Sequence, residues 1–236
     1  MSKIYPLPMT IDMTRATLDD LKVQTRRICK LQPCAGHTLE MGMVYGVWCA
    51  VEKDRGVIVD YTPVKYMKGD VLWVRESAKI AACHEDKNGN DTIVEVQYAA
   101  DGKWSDLVQL PDRMLVDGVA KDWVYNNGRC PNGVFKEAAR LFLRVTNVRV
   151  EQLQDISQTD AAAEGLPREY DEELLGFGEE VWKFLAPDGS EHGDPRCAFM
   201  RLWDSLARPG AKFDDNPWVW VYEFEKCDKP EEWPNA

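Results

Sequence analysis

The chain has 236 residues, is 44% hydrophobic and 29% charged, and holds nine Trp, so it carries the material of a packed core and is no disordered segment. Its formal net charge of −11 argues against a protein that grips long duplex by the phosphates, and favours a small or single-stranded ligand met in a local pocket. The apolar runs are too short to span a membrane, and the opening MSKIYPLPMT has neither an apolar h-region nor a small-residue cleavage site, so a cytoplasmic location is expected.

The first periodic segment is 10–21, where Ile11, Thr14, Leu18 and Leu21 fall on one helical face while Asp12, Arg15 and Asp19 are polar. Residues 22–28 follow, β-branched and basic, and read as a strand; 25–30 is the one concentration of positive charge, with Arg26, Arg27 and Lys30. Within 44–62, two apolar runs flank Lys53-Asp54-Arg55-Gly56 as a hairpin. Lys68-Gly69-Asp70 is a turn before 71–74, a strand apolar enough to be buried on both faces. Residues 92–99 alternate, whereas 103–137 cluster Gly, Asn and Pro with little periodicity and read as a long excursion. Another alternating strand covers 141–150. Ser157 is the N-cap of a short helix that runs to Glu164 and stops at Gly165. A second excursion spans 167–196, a helix with Phe199, Leu202, Trp203 and Leu206 on one face spans 197–207, and a strand at 218–225 precedes a polar tail. This order predicts an α+β fold with a small barrel or curled sheet.

Seven Cys are scattered without regular spacing, and reduced thiols are expected. Cys29, Cys34 and His37, with Cys83 and His84 far beyond, make an incomplete zinc pattern, so no metal and no cofactor are expected. Gly176-Phe177-Gly178 does not stand between a strand and a helix and fails as a phosphate loop. Trp73, Trp203, Trp218 and Trp220 occupy periodic positions and are expected in the core. Trp48 and Trp104, beside turns, are the candidates for stacking on a base.

Six blocks carry a resemblance: Lys22-Val23-Gln24-Thr25-Arg26-Arg27, residues 68–76, 148–156, 160–165, Leu202-Trp203-Asp204-Ser205 and residues 216–221. Their order is similar to that of ASCH-domain proteins of the PUA-like superfamily, in particular the larger ones found in phage and prophage genomes. The blocks themselves hold 40 residues, and the stretches they mark cover roughly 90 of the 236. The resemblance implies a single domain over 1–236: a small PUA-like β-barrel with flanking helices, its core at about 10–30, 67–78, 140–166 and 197–227. Long insertions are then expected at about 31–66, 79–139 and 167–196.

Family membership further implies a groove that meets RNA, single-stranded nucleic acid or a modified nucleoside. One small bacterial relative is an amidohydrolase of N4-acetylcytidine, and its proposed catalytic set falls here on Lys22, Thr25 and Glu164. Arg26 and Arg27, with Arg75, Glu76 and Trp48, are the expected substrate-binding residues. Chemically, a Thr hydroxyl needs a base in reach, and a lysine serves when burial or a neighbouring cation lowers its pKa. Lys22 and Thr25 share a face on a helix but point to opposite faces of a regular strand, so the trio needs a bend at the helix-to-strand junction. Two functions are therefore expected of such a chain: hydrolysis of an N-acyl bond on a modified cytidine or related nucleobase, or non-catalytic binding of RNA or single-stranded nucleic acid. The sequence is silent on oligomeric state.

Overall fold

In the computed structural model the described residues are 3–33, 37–45, 47–54, 57–88, 90–116, 119–121, 130, 133–170, 182–231 and 233. The zinc-pattern residue Cys34 and the segment 176–178 lie outside them.

The chain opens with β1 (Ile4–Pro8), which pairs in parallel with β6 (Val71–Arg75) and forms the end of its sheet. No β-pattern announces it, because Pro6 and Pro8 lack an N–H and are tolerated only in an edge strand. Helix α1 (Ile11–Leu18) stops three residues short of the expected end, and Asp20, with a φ of 58°, then reverses the chain. The N–H groups of Leu21 and Lys22 then close on the Ala16 carbonyl at 2.8 and 3.1 Å. Thr14, Ala16 and Thr17 are its buried positions, and Ile11, expected inside, is exposed.

Strand β2 (Gln24–Ile28) leads to a meander of β3 (Thr38–Val44), β4 (Val47–Asp54) and β5 (Val57–Pro63). The β4–β5 hairpin is the one expected, while β3 is not. Its Gly42 makes the pairing possible, since a Cβ there would stand 2.5 Å from Val51 Cγ2. After β6 come β7 (Ala78–Glu85), β8 (Asp91–Tyr98) and β9 (Val108–Gln109), then the two-residue strands β10 (Leu115–Val116) and β11 (Val119–Ala120). Two register shifts in the β7–β8 ladder break the alternation that would have marked β7 in the sequence.

Strand β12 (Phe142–Gln152) precedes α2 (Gln158–Ala163), which Ser157 caps by accepting from the Asp160 N–H at 3.0 Å. The second excursion contains β13 (Arg168–Tyr170), β14 (Trp182–Leu185) and β15 (Glu191–His192) as a small antiparallel sheet. Helix α3 (Pro195–Leu206) begins two residues before the expected start. Asp194 is its N-cap and Pro195 its first residue. Last is β16 (Trp218–Cys227), antiparallel to β2. The class is mixed α+β, mostly sheet with few helices, and among the described residues no sheet closes into a barrel.

The chain divides into two compact units, each drawn from separated stretches. The first takes 1–15, 69–144 and 226–236. In it β6 lies between β1 and the opening residues of β12, and β7, β8 and β9 form a second sheet. Its core joins Trp73, Val94, Val96, Leu110, Phe142 and, from the tail read as polar, Trp233. Trp233 meets Trp73 and Phe142 edge to face, at centroid distances of 5.6 and 5.0 Å.

The second unit takes 16–68 and 145–225. Here β16 lies between β12 and β2. Its core packs Leu153, Ile156, Ala161, Ala198 and Phe199 against Val219 and Val221.

Candidate functional site

Alternation along β2 decides which side chains meet. Lys22, Gln24 and Arg26, two residues apart, all reach the stretch 160–164. The Lys22 ammonium donates to the Glu164 carbonyl at 2.8 Å and to its carboxylate Oε2 at 2.9 Å. Arg26 Nη1 donates to the other carboxylate oxygen, Glu164 Oε1, at 2.8 Å, and the Gln24 amide donates to the Asp160 carbonyl. Glu164 holds this place because it caps the C-terminus of α2 and bridges Lys22 backbone to backbone. Next to it, Gly165 has a φ of 82°, and a Cβ there would fall 2.6 Å from Lys22 Cβ and 2.8 Å from Ala16 Cβ.

The network continues outward. Arg26 Nη2 donates to Glu151 Oε1 at 2.8 Å and lies 3.4 Å from Asp160 Oδ2. Arg149 donates to Glu151 Oε2 at 2.9 Å and to Asp160 Oδ2 at 2.8 Å, and it also pairs with Glu223. Three cations thus face four carboxylates. The inner members Lys22, Arg26 and Glu164 are buried, whereas Asp160, Arg149 and Glu223 are partly exposed. Burial pushes the Lys22 pKa below the ordinary lysine value; Glu164 opposes the shift, and Arg27 and Arg26 add to it.

Thr25 stands on the other face of β2. It is paired in register with Tyr222, and Arg27 with Trp220, so these four share the side away from α2. Tyr222 is buried there and meets Tyr66 edge to face at 5.0 Å. The β2–β16 register runs without a shift, so β2 is regular and Thr25 keeps the face opposite Gln24 and Arg26. Among the described residues the Thr25 hydroxyl makes no hydrogen bond with Lys22 or Glu164. Two of the three expected catalytic residues converge, and the third does not.

The expected positive groove is also changed. Arg26 is fully engaged with carboxylates inside the unit, Arg27 is half-buried, and only Lys30 of the three is exposed. Trp48 is 42% exposed beside Met43, at the end of the β3–β4 hairpin where Tyr45 and Tyr61 are also exposed. Glu76 and Arg75 belong to the first unit. Glu76 is fully buried and receives two bonds from Arg140, Nε at 2.9 Å and Nη2 at 2.8 Å. Arg140 also binds Asp101 at 2.9 Å and stacks over the Tyr98 ring at 3.8 Å. Arg75 lines a cavity.

Sequence reasoning missed Glu151, Arg149 and Asp160 as partners of Arg26. The signal was present: Arg149 and Glu151 are two apart on a strand, and a pair of opposite charges on one face of β12 asks for charged company. Among the described residues no helix is long and apolar enough to cross a membrane. Comparison with protein-family models, with curated proteins and with solved structures finds no match.

Proposed function

We propose that the chain hydrolyses an N-acyl bond on a modified cytidine or related nucleobase, as an ASCH-type, PUA-like protein, with Lys22 and Glu164 as its acid–base pair. The observation that carries this reading is their contact. The two are 142 residues apart in sequence and 2.9 Å apart in space, and the lysine pKa is lowered by burial. Amide hydrolysis needs a base for the nucleophile and an acid for the leaving amine. With Thr25 turned to the other face, the nucleophile is water. The Glu164 carboxylate takes a proton from that water as its oxygen attacks the acyl carbon. The C–N bond breaks as the Lys22 ammonium gives its proton to the amine, and the Glu164–Lys22 hydrogen bond returns the proton to the lysine. Arg26 holds the second carboxylate oxygen and fixes the orientation of Glu164.

A second reading, non-catalytic binding of RNA or single-stranded nucleic acid, is favoured by a specific observation. Each charged group of the network is already bonded within the unit, and exposed Trp48 and Tyr45 suit stacking on bases. The test is incubation with a panel of N-acylated nucleosides, with products identified by mass spectrometry. Glu164→Gln is expected to lower turnover by about 100-fold or more, whereas Thr25→Val leaves it nearly unchanged. Loss of turnover in Thr25→Val would restore Thr25 as the nucleophile. A wild-type protein that cleaves none of the panel yet retains a labelled single-stranded oligonucleotide would replace the hydrolase by the binding module.

A further inference from the structure

Arg26 serves two carboxylates at once. Its Nη1 donates to Glu164 Oε1 at 2.8 Å, while Nη2 and Nε both donate to Glu151 Oε1, at 2.8 and 3.1 Å. The Arg26 side chain is 0% exposed, so little solvent screens either contact. Glu151 belongs to β12 and Glu164 caps α2, so the two reach Arg26 from different elements and are rivals for one cation. A guanidinium aimed wholly at Glu164 would hold that carboxylate ionised and make it a poor acceptor of a proton. Glu151 draws part of that charge away.

Its own excess is limited in turn. Arg149 donates to Glu151 Oε2 at 2.9 Å and to Asp160 Oδ2 at 2.8 Å, and it pairs with Glu223. The charged groups around Glu164 therefore come from every element packed about it. Lys22 and Arg26 bond it directly, from β2 and the residues just before that strand. Asp160 lies four residues back on α2, Glu151 and Arg149 stand on β12, and Glu223 stands on β16. Helix α3 adds the ring of Phe199, 5.8 Å from Arg26 Cζ. Side-chain exposure rises from 5% at Glu164 to 16% at Glu151 and 37% at Glu223, so of these two neighbours Glu151 is the one that solvent screens less.

We propose that Glu151 is a positioning residue of the hydrolysis: it divides the charge of Arg26 and so keeps Glu164 able to take a proton from water, while Arg149 sets how far that division goes. The role rests on the acid–base reading above. It adds to that reading the control of the pH range in which the Lys22–Glu164 pair works.

Two measurements test this. The first is the pH profile for hydrolysis of N4-acetylcytidine, or of the panel's best substrate if that differs, in Glu151→Gln and Arg149→Gln. Removing a negative charge beside the pair favours an ionised Glu164 and a neutral Lys22. In Glu151→Gln both limbs of the profile are therefore expected to move to lower pH, by about half a pH unit or more. Removing a positive charge does the reverse, so in Arg149→Gln both limbs move to higher pH. A loss of packing alone would lower kcat in both variants without moving the limbs in opposite directions. The second measurement is a double-mutant cycle in urea, which needs no turnover. The double variant of Glu151→Gln and Glu164→Gln is expected to lose more than the sum of the single losses, because only then does the buried guanidinium lack both partners. Additive losses, or limbs that stay in place or shift together, overturn the role of Glu151 alone. A wild type that cleaves no nucleoside of the panel overturns the hydrolysis, and this role with it.

Discussion

Lys22 is a cation held almost wholly away from solvent, and Glu164 is what makes that tolerable. Removing one partner of a buried pair strands the other, at a cost of about 3–5 kcal/mol. Lys22→Met and Glu164→Gln should each lower the urea midpoint on that scale, and the double variant should lose less than the sum. Lys22 also carries a pH signature. Its folded pKa lies below the unfolded 10.5, so between the two values the unfolded chain binds more protons and stability rises with pH. Stability measured from pH 7 to 10.5 should show this rise in the wild type and lose it in Lys22→Met. Asp101 has a signature of the same sign in the acid range. The Arg140 hydrogen bonds hold its carboxyl below the usual 3.8, so the pair's stabilisation is present above that value and fades as pH falls through the lower folded one. The difference in melting temperature between wild type and Asp101→Asn should accordingly shrink below about pH 4. At this scale the Lys22–Glu164 contact was legible because a family pattern names both positions. Thr25 lies apart from the pair because residues an odd number of positions apart take opposite faces of a strand. The partner Arg140 lies just before β12 and left no local sign.

Elements set these meetings by their periods and their ends. The two-residue repeat of β2 sends Lys22, Gln24 and Arg26 to α2 and keeps Thr25 with Tyr222. The stop of α2 at Gly165 is what seats Glu164 against Lys22. Gly165→Ala forces a Cβ into a left-handed backbone, at about 1–2 kcal/mol, and onto Lys22 and Ala16 as well. The expected result is a loss of at least that size in chemical denaturation. An equally stable Gly165→Ala variant would show that Gly165 does not position Lys22. Most of the helices and the strands at 47–63, 71–75 and 142–152 were readable, since capping residues and clean alternation mark them. Strands β1, β3 and β7 were not, for three separate reasons: prolines at an edge, a glycine admitted for a neighbour's side chain, and register shifts that scramble the pattern.

On the scale of the whole molecule, each core gathers residues that the sequence keeps far apart. Trp233 is the clearest case, buried against Trp73 and Phe142 although the residues around it are polar. Trp233→Ala should cost about 3–5 kcal/mol, the range for a large aromatic removed from a core, and thermal unfolding monitored by circular dichroism would measure it. No local rule could have placed this residue inside, because what buries it is a partner 160 positions earlier in the chain. The same interleaving has a consequence in time. Synthesis at about 5–20 residues per second takes roughly 12–50 s for a chain of this length. Through most of that interval β2 waits for β16, and for about two thirds of it Trp73 waits for Trp233. Neither core can close until the last of these residues is made, so the growing chain shows apolar surface that the finished one buries. A chain that stops short of residue 218 is expected to show both of the apolar surfaces that its missing end would have covered, and to be cut faster by added protease than the full chain.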